Sequence, residues 1–156
     1  SNISVIESFV ENGGGLFLCS EWGNEGNFMD DLGERFGFFR YNPGMSITDS
    51  DDGLPGSDSY IPFDGENIHN HSITLSVNRV EVYSSSGFTT IPDDGNTLVK
   101  TDGDGTASRN NTPIAAASTY GNGRVVVIGD SNILTDGDID VDAVDNWEDS
   151  FNTGLH

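Results

Sequence analysis

The stretch PIAAASTYGNGRVVVIGD, residues 113–130, constrains the fold more than any other part of the chain. Two apolar runs flank Gly121-Asn122-Gly123, whose glycines accept the positive φ that a tight hairpin turn demands. The spacing predicts a hairpin with arms at 114–120 and 124–129. Its second arm, Val125-Val126-Val127-Ile128, lacks polar alternation and reads as a strand covered on both faces. Leu16-Phe17-Leu18-Cys19, bounded by glycines, has the same pattern. Before it, Ile3, Ile6, Phe9 and Val10 fall on one helical face, and Asn12-Gly13 supplies a left-handed stop. After it, Phe28, Leu32 and Phe36 recur every four residues among charged ones, which predicts a second helix. Helix, buried strand, helix argues for α/β layering.

The middle differs in kind. Residues 42–65 are mostly Gly, Pro, Asp and Ser, the composition of a long loop or insertion. Short alternating runs return at 80–83 and 97–100, followed by a second acidic loop, TDGDGTASRNNT. The tail DNWEDSFNTGL offers Asp145 or Asn146 as an N-cap and places Trp147, Phe151 and Leu155 on one face, which predicts a closing helix packed on the sheet. At 156 residues the expectation is a single domain, 1–156, with a loop-rich acidic middle at 42–112 and no internal repeat.

Charge narrows the partners. With 26 acidic against 6 basic residues the formal net charge is -20, and Lys100 is the one lysine. Such a surface repels phosphate backbones and anionic lipid, so neither nucleic acid nor a membrane surface is expected as a partner. No apolar run approaches the roughly 20 residues needed to span a bilayer. The acid suits a solvated surface in a salty or calcium-rich medium, or cation ligation by some of the Asp clusters. Cys19 stands alone, so no internal disulfide is expected. Asn2, Asn70 and Asn110 each open an N-glycosylation acceptor triplet, which leans toward an extracellular location. The chain opens on Ser1 without a leader, which implies processing or a fragment.

Several motifs hint at chemistry. IGDSNIL resembles the Gly-Asp-Ser block of a lipase-like hydrolase, with Ser131 as nucleophile, yet only the terminal His156 follows as a base. A strand ending in a polar, capping loop fits it better. Asp136, Asp138, Asp140 and Asp142 alternate as in a calcium loop, but Val141 and Trp147 stand where such a loop needs Gly and Glu. Asp49-Ser50-Asp51-Asp52 and Asp102-Gly103-Asp104 are shorter versions. His69 and His71 could share a metal, though no Cys or further His lies near to complete the set. An apolar strand meeting a sharp turn is also how a nucleophile elbow reads. There Cys19 should point inward by alternation, leaving Ser20 at the bend.

FVENGGGLFLCSEWGNEGNFMDDLGERFGF, taken with PIAAASTYGNGRVVVIGDSNIL and the Asp-Asn after it, resembles the class I glutamine amidotransferase-like superfamily. The likeness is to its non-catalytic members: archaeal and bacterial cell-surface domains, and the related domain of gliding-motility and intraflagellar-transport proteins. It covers about half the chain; HNHSIT matches loosely at a strand entry. It implies a flavodoxin-like three-layer sandwich with a mostly parallel sheet, and places Ser1 one strand–helix unit into the domain. Active members carry a Cys at the elbow and a His-Pro-Glu after the hairpin. Here Ser20 and Gly129-Asp130-Ser131 hold those positions, so the base and its orienting acid are absent, and no catalytic residue is expected.

In such a sheet ligands bind beyond the carboxyl ends of the strands. The expected site is a cleft where Ser20, Glu21 and Trp22 face Asp130, Ser131 and Asn132, with Asn27, Asp145 and Asn146 nearby. Hydroxyls, amides, carboxylates and a Trp suit a carbohydrate or a cation; equally, they could cap helix ends and satisfy one another. Three readings follow. One is a non-catalytic module of an extracellular or cell-surface protein, serving assembly with itself or a protein partner, or ligand binding. Another is a hydrolase using Ser20 or Cys19 with an unidentified base. The third is a calcium-stabilised structural subunit of a surface assembly. The cytoplasm of a salt-adapted organism is the alternative location.

Overall fold

In the computed structural model the described residues are 2–20, 27–41, 46–51, 53 and 57–134. Helix α1 (Asn2–Glu11) leads into β1 (Gly15–Cys19), and α2 (Asn27–Arg35) follows. Then come β2 (Phe39–Arg40), β3 (Tyr60–Asp64), β4 (Arg79–Tyr83), β5 (Phe88–Thr90) and β6 (Asn96–Lys100). The strands end with β7 (Pro113–Tyr120) and β8 (Gly123–Ile128), and a 3₁₀ turn spans Asn132–Leu134.

The hairpin forms as its turn sequence demands. Tyr120 pairs with Gly123, leaving a two-residue loop in which Gly121 has φ 58°, the positive first position of a type II′ turn. Helix α1 stops where Asn12-Gly13 predicts: Gly13 has φ 106°, and the Gly14 N–H reaches back 3.0 Å to the Phe9 carbonyl while that of Gly13 reaches Val10 at 2.9 Å. That is the Schellman arrangement. Gly123 is fixed by packing, because a Cβ there would sit 2.0 Å from the Val10 carbonyl oxygen.

The expected flavodoxin-like sandwich with a mostly parallel sheet is not what forms. The main sheet runs β1-β8-β7-β6, and only β1 and β8 are parallel, with Leu16 opposite Val125. The ladders β7–β8 and β6–β7 are antiparallel, as are the separate pairs β2–β5 and β3–β4. Strand outweighs helix, with eight strands and two α-helices among the described residues. The cause lies in 42–112. Its chain returns through hairpins, and Tyr60–Asp64 within the expected loop is a strand paired with β4. Among the described residues no helix is long and apolar enough to cross a membrane. The expected closing helix lies outside them.

Two apolar clusters sit on opposite faces of the main sheet. On one face α1 and α2 bring Val10, Leu32 and Phe36, with Phe38 and Phe88, against Leu18, Ala116, Val125 and Val127. On the other, the β3–β4 hairpin lays Ile61, Phe63, Val80 and Val82 over Ala115, Ala117 and Ile128. Strand β1 escapes the expected double cover: Phe17 is 53% exposed.

Candidate functional site

The parallel pairing brings the carboxyl ends of β1 and β8 together, and the Ser20 N–H donates to the Ile128 carbonyl at 2.7 Å. Side chains beyond that point nevertheless diverge. Ser20 follows Leu18 onto the helix face, where it lines a cavity of about 10 Å³ with Met29, Asp30 and Arg40. That is the size of a single water site. Its Oγ is buried and without a hydrogen-bond partner. Beside it the Arg40 guanidinium, 4% exposed, is held by Asp30 through Nη2 to Oδ2 at 2.7 Å and donates to Ser86 Oγ at 3.0 Å. Helix α2 presents Asp30 in its first turn and β2 presents Arg40. Among the described residues lining the cavity there is no imidazole.

Asp130 goes to the other side. Fully buried, it accepts from the Tyr83 N–H at 2.6 Å and the Asn132 N–H at 2.7 Å, tying the end of β8 to β4 and capping the 3₁₀ turn. Asn132 Nδ2 donates to the Tyr83 carbonyl at 3.2 Å, and Ser131 is exposed at the head of that turn. Gly129 is required because a Cβ there would fall 1.7 Å from the Ser86 carbonyl oxygen. In IGDSNIL, therefore, the Gly admits a neighbouring backbone and the Asp is a cap. The expected cleft splits into two half-sites, one per sheet face. Asn27 opens α2, while Glu21, Trp22, Asp145 and Asn146 lie outside the described residues.

Cys19 points away from Ser20, packing against the β3–β4 side. Burial first, and then the charge of Asp130, raise its thiol above the usual range, which holds it protonated and poorly nucleophilic at neutral pH.

Sequence patterning missed two features. Arg40 and Asp30 carry no spacing signal: they stand ten residues apart, on β2 and α2, and the fold brings them together. The second is a groove of about 480 Å³ bordered by Tyr41, Thr89, Arg109, Asn110 and Thr112. There the Arg109 guanidinium lies 3.9 Å above the Tyr41 ring, a cation–π stack. TDGDGTASRNNT reads as a loop, and only the fold brings it to Tyr41.

Two of the short Asp clusters do meet. Asp49 and Ala107 form an isolated bridge, and Thr106 Oγ1 lies 2.9 Å from Asp49 Oδ1 and 2.6 Å from Asp104 Oδ1. Hydrogen bonds from Thr106 hold the Asp104 carboxyl below its ordinary value, whereas burial raises that of Asp102. Among the described residues no three His, Cys, Asp or Glu side chains group as a metal set. Asp136, Asp138, Asp140 and Asp142 fall outside them. His69 and His71 serve the segment before β4: the His69 N–H donates to the Leu98 carbonyl at 2.8 Å, and His71 Nδ1 accepts from Ile73 N–H at 3.1 Å. Asn2, Asn70 and Asn110 are all exposed.

No family model matches the chain, and no curated protein does. Solved structures do. The N-terminal domain of mmIFT52 superimposes with a TM-score of 0.66 at 15% identity, over 86% of this chain and 61% of that one. Two proteins named as cytoplasmic, both from Salmonella typhimurium, are also similar. STM3548 has a TM-score of 0.57 at 13% identity, covering 96% of this chain and 58% of that one. STM1381, from strain LT2, has a TM-score of 0.53 at 17% identity, covering 83% and 49%. The chain thus spans about half to three fifths of each. At such identities the likeness shows the fold alone. It links the chain to the intraflagellar-transport domain named in the sequence resemblance; the wider amidotransferase-like superfamily is not shown by it.

Proposed function

We propose that this chain is a non-catalytic, amidotransferase-like module of an extracellular or cell-surface protein, and that it serves assembly with a protein partner or with itself. The observation that carries the reading is how the polar groups at the ends of β1 and β8 are used. Asp130 caps two backbone N–H groups, Arg40 is occupied by Asp30 and Ser86, and Ser20 has no imidazole among the described residues around its cavity. Groups spent on one another hold strands in place and leave little to polarise a substrate. The fold likeness to a domain of an intraflagellar-transport protein supports an assembly role by analogy. Carbohydrate or cation binding at the surface is the ligand-binding form of the same reading.

One observation favours a hydrolase acting through Ser20: its hydroxyl is buried and unpartnered at a strand end. Two reagents separate the readings. A fluorophosphonate probe and iodoacetamide, applied to the folded chain at neutral pH, are expected to label neither Ser20 nor Cys19. Stoichiometric fluorophosphonate labelling lost in Ser20→Ala would overturn the non-catalytic reading. Sedimentation across a concentration series, with calcium, with chelator and in molar salt, tests self-assembly and its dependence on bridging ions. A monomer under every condition would leave only a foreign partner for the assembly reading.

A further inference from the structure

The chain carries 26 acidic residues against 6 basic ones, yet among the described residues no Asp or Glu lines the groove of about 480 Å³ beside Tyr41. Its one charged side chain there is Arg109. The described ion pairs join Arg35 to Glu7, Arg40 to Asp30 and Arg79 to Glu81, so among the described residues Arg109 has no carboxylate partner. The walls are pinned from several sides. Thr101, fully buried, donates through Oγ1 to the Arg109 carbonyl at 2.5 Å and accepts from the Thr112 N–H at 2.8 Å. The Ser108 N–H donates to the Thr48 carbonyl at 2.7 Å, and Ser108 Oγ accepts from the Thr48 N–H at 2.9 Å. Tyr41, whose own N–H donates to the Gly87 carbonyl at 2.7 Å, holds the Arg109 guanidinium 3.9 Å above its ring. Lys100 adds a second positive charge at the border, donating to Asn111 Oδ1 at 3.1 Å.

We propose that this groove docks a carboxylate side chain from a short acidic segment of a partner protein, with Arg109 as its anchor; the proposal rests on the assembly reading and names the partner's chemistry. Stacking on Tyr41 occupies a face of the guanidinium and leaves its N–H edge for two parallel bonds to a planar carboxylate. A carboxamide cannot replace that carboxylate, because it offers one oxygen and sets an N–H group against the second donor. Little rotamer freedom is lost on binding, since the ring and the pinned loop already hold the arginine. Hydroxyl and amide groups of Thr89, Asn110 and Thr112 border the groove and suit the backbone of an extended segment. Volume separates a segment from a lone ion: a cavity of about 150 Å³ already holds a benzene ring. A second copy is the weaker occupant, because two chains of net charge -20 repel one another, whereas a short segment brings few charges.

Nitrogen-15 NMR of the full chain reads the arginine directly. An acetylated Gly-Glu-Gly-Glu-Gly peptide is expected to move the Arg109 Nε–Hε signal and the Thr89 and Thr112 amides together, to saturation. Its Gln counterpart should bind about tenfold more weakly, the ratio for losing one charge-assisted hydrogen bond. Arg109→Gln, at an exposed position, should abolish the Thr89 and Thr112 shifts with the far-ultraviolet circular dichroism unchanged. Tyr41→Leu should weaken binding severalfold, and Arg124→Gln, on β8 and outside the groove, should change nothing. Equal binding of the Glu and Gln peptides, or shifts that survive Arg109→Gln, would overturn the proposal. So would acetate or inorganic phosphate giving the same shifts at the same concentration, which would leave a site for small anions only. Self-association that requires Arg109 would assign the groove to a second copy instead. A failed titration leaves the sedimentation and labelling outcomes standing, so this proposal and the assembly reading fail separately.

Discussion

The two faces of the main sheet are built from the same strands and covered by different means. The helix face is closed by α1 and α2, and Val10, Val125 and Ala116 are fully buried there. The opposite face is covered by a two-stranded hairpin, which leaves Phe17 on β1 half in solvent. Amphipathic helices bring a broad apolar stripe to a sheet, whereas a short hairpin brings one narrow strip. The difference locates stability on one face and opportunity on the other.

The largest expected effects test the sealed face. Phe38→Ala removes a ring that is 1% exposed and stacks edge-on against Phe88, and should lower unfolding free energy by about 3–5 kcal/mol. The same change at Phe17 should cost about 0.5 kcal/mol, near the range of a surface substitution. Equal losses in urea unfolding would erase the contrast. Asp30→Ala strands the buried Arg40 and should cost about 3 kcal/mol, while Asp30→Leu combined with Arg40→Met should recover much of it. A double variant no better than the single one would mean that the pair contributes more than its mutual neutralisation.

On the hairpin face, Asp130→Ala leaves the N–H groups of Tyr83 and Asn132 without their acceptor and should cost about 2 kcal/mol. Amide exchange should then accelerate first at Tyr83 and Asn132; uniform acceleration would argue against a local cap. The smallest effect concerns the tie between α1 and α2. Glu7 accepts from Arg35 at 2.8 Å and from Tyr120 Oη at 2.6 Å, and those bonds hold its carboxyl below the ordinary 4.5. A lowered folded-state value means the contribution is present above pH 4.5 and lost as pH falls through the lowered value. Glu7→Gln should therefore flatten the acid limb of a stability–pH curve and leave the neutral region little changed. An unchanged acid limb would remove Glu7 from the account.

What the sequence makes legible follows the same division. The hairpin, α1 with its glycine stop, and α2 rest on local rules of turn chemistry and periodicity, and all three form where those rules place them. Strand β3 escaped notice because Pro62 stands at its centre among Gly, Ser and Asp. A two-stranded ladder tolerates that proline because one side of each strand needs no partner N–H. The continuous apolar run at β1 reads as doubly covered, yet its edge position leaves Phe17 exposed. At the candidate site the sequence rightly brings Ser20 beside the end of β8, but it misplaces the Asp130 side chain. Which face a residue takes after a strand has ended is set by the loop, and no period encodes it.

Among the described residues strand β1 joins the sheet only through β8, and its register partner for Leu16 is Val125, roughly a hundred residues further along the chain. The hairpin β7–β8 closes locally and can form early, but β1 must wait until it exists, since a parallel pair has no turn of its own to nucleate it. The amino-terminal helix and strand are thus the last unit to lock and the first to open. Limited proteolysis or pulse-labelled exchange should find 2–19 leaving as a block, baring the Val125 and Val127 face while the antiparallel ladders hold.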